Sequence, residues 1–271
     1  MKNITAILLS LLTLALTSCE TPVELDLEQS EPRLAVEATI TDQPTLNQVK
    51  LHLSAPYAKN LEPQAVTDAQ VDLVDNTGTS TSFTHEGHGV YKPVGKFTGV
   101  VGHTYTLTIR ANGKTYTATS TLHPVALLDK VTYKYVDGRN DNRGRKEGYY
   151  ISTAFRDSAG VKNYYKLNIA VNGQLKQNET RDIIITEDKL YDGSYLDDIQ
   201  VPVTFAKNDA LEVSLLSLTK EAYEFYNALQ GLSGQGGLFG RNPANLPTNI
   251  SNGAVGFFSA SAVSTRSIII E

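Results

Sequence analysis

The stretch Thr104 to Ser120, TYTLTIRANGKTYTATS, constrains the fold of this chain more than any other. Tyr105, Leu107 and Ile109 alternate with Thr104, Thr106, Thr108 and Arg110, so an extended backbone sorts apolar and polar side chains onto opposite faces. Asn112-Gly113 then supplies residues that tolerate the positive φ angles of a two-residue hairpin turn. One apolar face fixes the register, because a slip of one residue would turn that face to water. The threonines opposite are ordinary cross-strand stabilisers, with a flat recognition surface as the alternative.

The same period recurs along the chain. Strands are expected at 33–40, 49–53, 69–74, 79–84 and 90–93 before the hairpin, with Asp75-Asn76-Thr77-Gly78 as a turn. About seven short strands in roughly ninety residues predict an immunoglobulin-like or transthyretin-like β-sandwich over 30–122. His123-Pro124 is the expected boundary, followed by a second β-rich domain over 123–271. Its expected strands are 130–136, 149–155, 164–171, 174–176, 182–186, 200–205, 210–216, 254–259 and 264–270. One helix is expected at about 219–230, where Leu218, Ala222, Phe225 and Leu229 form a stripe, Thr219 can cap and Gly231 follows the end. Tyr223 and Tyr226 lie on the shoulder of that stripe, placed for semi-buried packing or for contact with a partner. The segment 231–253 is a long Gly/Pro/Asn loop, unusual in a compact domain without a function of its own. The Asp137–Gly148 loop has no apolar side chain and is expected to be exposed.

With a single cysteine in 271 residues, no intramolecular disulfide or thiolate metal cluster can form, so packing must hold the fold together. That cysteine, Cys19, stands where an apolar run ends. Lys2 and the run from Ile4 to Leu16 have the form of a signal segment. Thirteen residues rise only about 20 Å as a helix, short of the roughly 30 Å hydrocarbon core. Residues 1–18 are therefore read as a signal peptide and 19–29 as a tether. Leu16-Thr17-Ser18-Cys19 resembles a bacterial lipobox, which implies cleavage between Ser18 and Cys19 and lipidation of Cys19. Acyl chains contribute about 0.8 kcal/mol per buried methylene, so more than one makes a stable anchor. Glu20, Glu24, Asp26 and Glu28 form a solvated tether, or an address resembling the signal that sends Bacteroidota lipoproteins to the cell surface.

A net charge of −5 argues against a nucleic-acid partner, which needs clustered Lys and Arg. The usual catalytic patterns do not fit. His85-Glu86-Gly87-His88 has the wrong spacing for a zinc helix, and Gly231-Leu232-Ser233-Gly234-Gln235 departs from a nucleophile elbow at its fifth position. The glycines from Gly234 to Gly240 match neither dinucleotide nor phosphate-loop spacing. Asp192, Asp197 and Asp198 could offer oxygens to calcium, but their spacing departs from the helix-loop-helix calcium pattern. No catalytic residue, metal or cofactor is expected, and whether the acidic loop at 192–198 takes a cation stays open.

The segments CETPVELDLEQSEPRLAVEATITD, YTLTIRANGKTYTATSTL, NYYKLNIAVNG and above all NPANLPTNISNGAVGFFSA together resemble a family of Bacteroidota outer-membrane lipoproteins, the domain-of-unknown-function 4249 type. The resemblance covers essentially the whole mature chain. It implies an outer-membrane location beside TonB-dependent receptors and assigns neither substrate nor catalytic residue. In NPANLPTNISNG, Pro243 and Pro247 restrict the residues before them to extended backbone while Asn242, Asn245, Asn249 and Asn252 suit turns. Such a segment either packs across the sandwich or presents a docking or ligand loop.

The expectation is thus a non-enzymatic lipoprotein, anchored in the outer membrane and exposed at the cell surface, that captures a ligand for, or otherwise assists, a TonB-dependent transporter. A periplasmic face, a glycan or peptide hydrolase without a recognisable motif, and a structural envelope or adhesin protein are the alternatives.

Overall fold

A computed structural model describes residues 32–54, 63–138, 145–176, 183–232 and 246–271. Ser18, Cys19, Asn242, Pro243 and Asn245 lie outside the described residues. The chain is mainly β. In its first half the strands are β1 (Leu34–Thr41), β2 (Gln48–Leu53), β3 (Gln64–Ala65), β4 (Gln70–Asp75), β5 (Ser80–Gly87), β6 (Val90–Pro93), β7 (Thr104–Ala111) and β8 (Lys114–Thr121). The second half adds β9 (Leu128–Val136), β10 (Gly148–Arg156), β11 (Tyr164–Val171), β12 (Gln174–Leu175), β13 (Ile184–Glu187), β14 (Tyr195–Phe205) and β15 (Ala210–Ser217). Helix α1 (Lys220–Leu232) and strands β16 (Val255–Ser261) and β17 (Val263–Ile269) complete it.

The first sheet follows the order β16-β1-β2-β6-β5-β4-β7-β8, with β3 on β2. Alternation does here what the sequence requires. Val36, Ile40, Leu51, Leu73, Leu107 and Ile109 all point into one core, closed by Tyr91 and Phe258. The β7–β8 hairpin turns at Asn112 and Gly113, whose φ angles are 51° and 71°. The strip curls until its two ends meet, and the Ala260 amide of β16 donates to Ser120 Oγ of β8 at 2.9 Å.

Strand β16 reaches this sheet from near the end of the chain and pairs with β1 in parallel, Ala35 opposite Val255 through Thr41 opposite Ser261. After Ala262 the chain steps into β17, which pairs with β15 in a sheet of order β12-β11-β15-β17 with β13 on β11. A third sheet, β14-β10-β9, faces that one across Leu128, Ile151, Phe155, Tyr165, Val213 and Leu215. Two consecutive strands thus serve two different cores. Serine side chains lace the step between them: Ser217 Oγ donates to the His123 carbonyl at 2.7 Å and accepts the Ala262 amide at 3.0 Å, while Ser264 Oγ accepts the Leu128 amide at 2.8 Å. Val125 packs against both cores, and Pro32–Glu271 is one compact unit.

Helix α1 carries the expected stripe. Leu218, Ala222 and Phe225 are buried with Tyr164 and Phe257 beneath, so the helix covers β11 and the start of β16. Thr219 Oγ1 accepts the Ala222 amide at 3.1 Å and caps the first turn. The helix continues to Leu232, so Gly231 lies in its last turn rather than beyond it. Among the described residues no helix is long and apolar enough to cross a membrane.

Candidate functional site

A groove of about 520 Å³ opens where the two halves meet. One wall is the end of the β7–β8 hairpin, with Thr104, Thr119 and Thr121. The other is the connection running into β11 at Lys162 and Asn163 together with the first turn of α1 at Thr219, Lys220 and Glu221. His123 and Pro124 lie between them, and Asn249 also lines the groove. The walls are held by backbone and hydroxyl contacts. The Leu218 amide donates to the Tyr164 carbonyl at 2.8 Å, and Thr104 Oγ1 meets Thr121 Oγ1 at 2.8 Å. Lys162 Nζ lies 3.5 Å from Glu187 and 5.3 Å from the Tyr164 ring centre, and Lys220 Nζ lies 3.4 Å from Glu224 one turn on. Hydroxyls, an amide and charged tips on rigid strands and a capped helix suit a polar ligand bound by hydrogen bonds.

The structure places the residues singled out in the sequence as follows. Tyr223 is half-buried against Tyr164, ring centres 5.1 Å apart, and burial pushes its hydroxyl pKa up. The Tyr226 ring lies 4.1 Å beneath Lys166 Nζ and packs on Phe225. Asn249 Nδ2 donates to the carbonyls of Thr119 at 3.1 Å and Phe258 at 2.8 Å, and its Oδ1 accepts the Phe258 amide at 3.0 Å. Asn252 Nδ2 donates to the Thr115 carbonyl at 3.3 Å, and Ser251 Oγ accepts the Thr117 amide at 2.7 Å. Pro247 is exposed beside them. The described part of the NPANLPTNISNG segment therefore lies along β8 and satisfies polar groups that an open edge strand would leave unpaired.

One constellation was not legible in the sequence. Asp192 meets Asp157 and Asp188, each offering an oxygen within 4.8 Å of the others, whereas Asp197 and Asp198 are exposed on β14. Asp157 opens the β10–β11 connection, and Asp188 and Asp192 belong to the β13–β14 connection. The two connections are laced reciprocally. Asp157 accepts from the Tyr165 hydroxyl at 2.6 Å and the Gly193 amide at 3.0 Å. Asp188 accepts the Asn163 amide at 2.6 Å, and Asp192 the Gly160 amide at 2.8 Å. Gly193, at φ 69°, permits this approach, because a Cβ there would stand 2.6 Å from that of Ala159. Burial, then the Asp157 carboxylate, pushes the Tyr165 hydroxyl pKa far up, and burial with these carboxylates pushes Tyr191 up to about 12. Both hydroxyls stay protonated at neutral pH. The hint in the sequence is two acidic turns, DSAG and DKLYDG, whose proximity only the fold supplies.

Comparison with known proteins gives a family and no activity. No curated protein matches the chain. Among solved structures, the two fibronectin type-III domain segment from chicken tenascin is similar at 13% identity, covering 89% of this chain and 98% of that one with a TM-score of 0.21. The family model for a domain of unknown function, DUF4249, matches residues 20–267, beginning one residue after Cys19. The chain therefore belongs to the DUF4249 family, which is the family its quoted segments resemble.

Proposed function

We propose that this protein is an outer-membrane lipoprotein, anchored through Cys19 and displayed at the cell surface, that captures a polar ligand for a TonB-dependent transporter by binding rather than by catalysis. The observation that carries the capture reading is the groove of about 520 Å³, walled by Thr104, Thr119 and Thr121 on one side and by Lys162, Asn163 and Thr219 on the other. Its threonine hydroxyls are held by strands and a helix cap, so little ordering entropy opposes a ligand there. The anchor reading is supported by the lipobox-like LTSC and by a family match that starts just after it. Confinement to the membrane plane raises the effective concentration beside a receptor, so modest contacts suffice.

The test is crosslinking of the tagged protein in its native envelope, gentle solubilisation and mass spectrometry of what co-purifies, with Cys19→Ser as the control. A transporter should be captured with the native protein and lost with Cys19→Ser. Recovery of the protein alone, or a mature N-terminus other than Cys19, would overturn the reading.

A further inference from the structure

We propose that Asn112 is a site of self-modification, where the backbone nitrogen of Gly113 closes on the Asn112 side chain and converts it to aspartate or isoaspartate. The chain carries three Asn-Gly pairs: Asn112-Gly113, Asn172-Gly173 and Asn252-Gly253. Asparagine is thermolabile, and a following glycine puts no Cβ in the way of ring closure. All six residues are exposed and have positive φ, so neither the dipeptide nor its exposure ranks the three sites. Their side-chain contacts do.

The first two pairs make the same turn twice. φ is 51° at both asparagines, and 71° and 82° at the glycines that follow. Among the described residues neither glycine amide has a hydrogen-bond partner, and each glycine has open space where a Cβ would stand. The two turns differ in what holds the asparagine. Asn172 Oδ1 accepts the Ala210 amide at 3.0 Å, and its Nδ2 donates to Asp209 Oδ1 at 3.1 Å. These bonds fix its rotamer and engage the nitrogen that would have to leave. Asn252 Nδ2 makes one longer bond, to the Thr115 carbonyl at 3.3 Å. No described residue holds the Asn112 side chain, which is free to turn its Cγ toward Gly113.

Charge acts in the same direction. The attacking species is the glycine nitrogen after solvent base has taken its proton, so a neighbouring cation favours it and an anion opposes it. Lys114 follows Gly113, whereas the Asp209 carboxylate sits beside Asn172.

The step balances with water alone. The Gly113 nitrogen bonds to Asn112 Cγ, the Cγ–Nδ2 bond breaks, and the side-chain nitrogen leaves as ammonia with protons drawn from solvent. Water then opens the cyclic imide. Cleavage between the ring nitrogen and Cγ gives aspartate, and cleavage at the main-chain carbonyl gives isoaspartate. One water is consumed and one ammonia released, with no change of oxidation state. Either product adds a negative charge at the tip of β7 and β8. Isoaspartate also adds a methylene to the main chain of a two-residue turn, where Ala111 pairs with Lys114, so the hairpin tip must loosen.

This chemistry is independent of the membrane anchor and the transporter. The full chain in detergent is held in mildly alkaline buffer, sampled over time, digested and mapped by mass spectrometry. The peptide carrying Asn112 should gain the mass of an amide-to-acid conversion and split into two products of equal mass. Its rate should be at least about tenfold that at Asn172, where two hydrogen bonds must break first. Asn252 should fall between them. In urea sufficient to unfold the chain the three rates should converge. Asp209→Ala, which removes both the acceptor of Asn172 Nδ2 and the opposing carboxylate, should speed conversion at Asn172 several-fold and leave Asn112 unchanged. A stable Asn112, an equal rate at Asn172 in the folded protein, or a ranking that persists in urea would overturn the proposal. So would an Asp209→Ala chain in which Asn172 reacts no faster.

Discussion

Replacing Asn249 with alanine separates a brace from a recognition loop, because this one side chain joins the two ends of the first sheet. It donates to Thr119 on β8 and exchanges two hydrogen bonds with Phe258 on β16. Thr119 is exposed, so water can replace its lost donor at little cost. Phe258 is fully buried, and its amide and carbonyl would be left without partners. Each of those bonds contributes about 1 kcal/mol, and stranding a buried polar group costs about 1–3 kcal/mol more, so the total comes to about 3–4 kcal/mol. In a unit of this size that lowers the midpoint of thermal unfolding by about 10 °C. Asn249→Asp keeps an acceptor for the Phe258 amide but sets carboxylate oxygens against two carbonyls, and should be at least as destabilised. Urea unfolding of the full chain, with the slope checked for constancy, measures both. If Asn249→Ala stays within about 0.5 kcal/mol of the native protein, the bracing argument is wrong. Loss of transporter capture with unchanged stability would give Asn249 a contact role instead.

Two other substitutions probe distinct features. Gly256 has φ 98°, and a Cβ there would lie 2.0 Å from the Val36 carbonyl oxygen, so Gly256→Ala must break the parallel pairing of β1 with β16. A loss of about 3 kcal/mol or more in urea unfolding is expected from strain and lost pairing, and a neutral effect would refute that pairing. The Asp75 carboxyl is held down to about 2, chiefly by the Thr77 hydroxyl, with His103 and the amides of Thr79 and Thr77 also contributing. Its folded pKa is below the ordinary 3.8, so its stabilisation is present above about pH 4 and disappears as pH falls from there toward 2. Asp75→Asn should flatten the acid limb of a stability-against-pH curve in that window, and an unchanged limb would show that this group does not set it.

Local features were readable from the residues alone, because they depend on neighbours a few positions away. Asn112-Gly113 and Asn172-Gly173 turn with positive φ at both residues, as tight hairpins demand. The stripe Leu218, Ala222, Phe225 marks the buried face of α1, and Thr219 caps it. Strand β14 is longer than its pattern implies. It begins at Tyr195 rather than Gln200, and it runs through Asp197 and Asp198 with two breaks in register against β10, which hide its alternation. Pairings between distant segments were illegible for a different reason. Alternation says that residues 254–259 form a strand, but not that the strand will sit beside β1 rather than with the domain that precedes it in sequence. Likewise Asp157 lies far along the chain from Asp188, and each reads separately as an acidic turn. Only the pairing of β10 with β14 and of β11 with β13 brings them together.

The parallel pairing of β1 with β16 also imposes a timetable on folding. A ribosome delivers Leu34 to Thr41 long before it delivers Val255 to Ser261, so the nascent first sheet must wait with one margin bare. Until Val255 to Ser261 emerge, that margin can recruit strands from other molecules, which makes incompletely synthesised copies hazardous. A chain halted before Val255 leaves its first sheet without the strand that completes it.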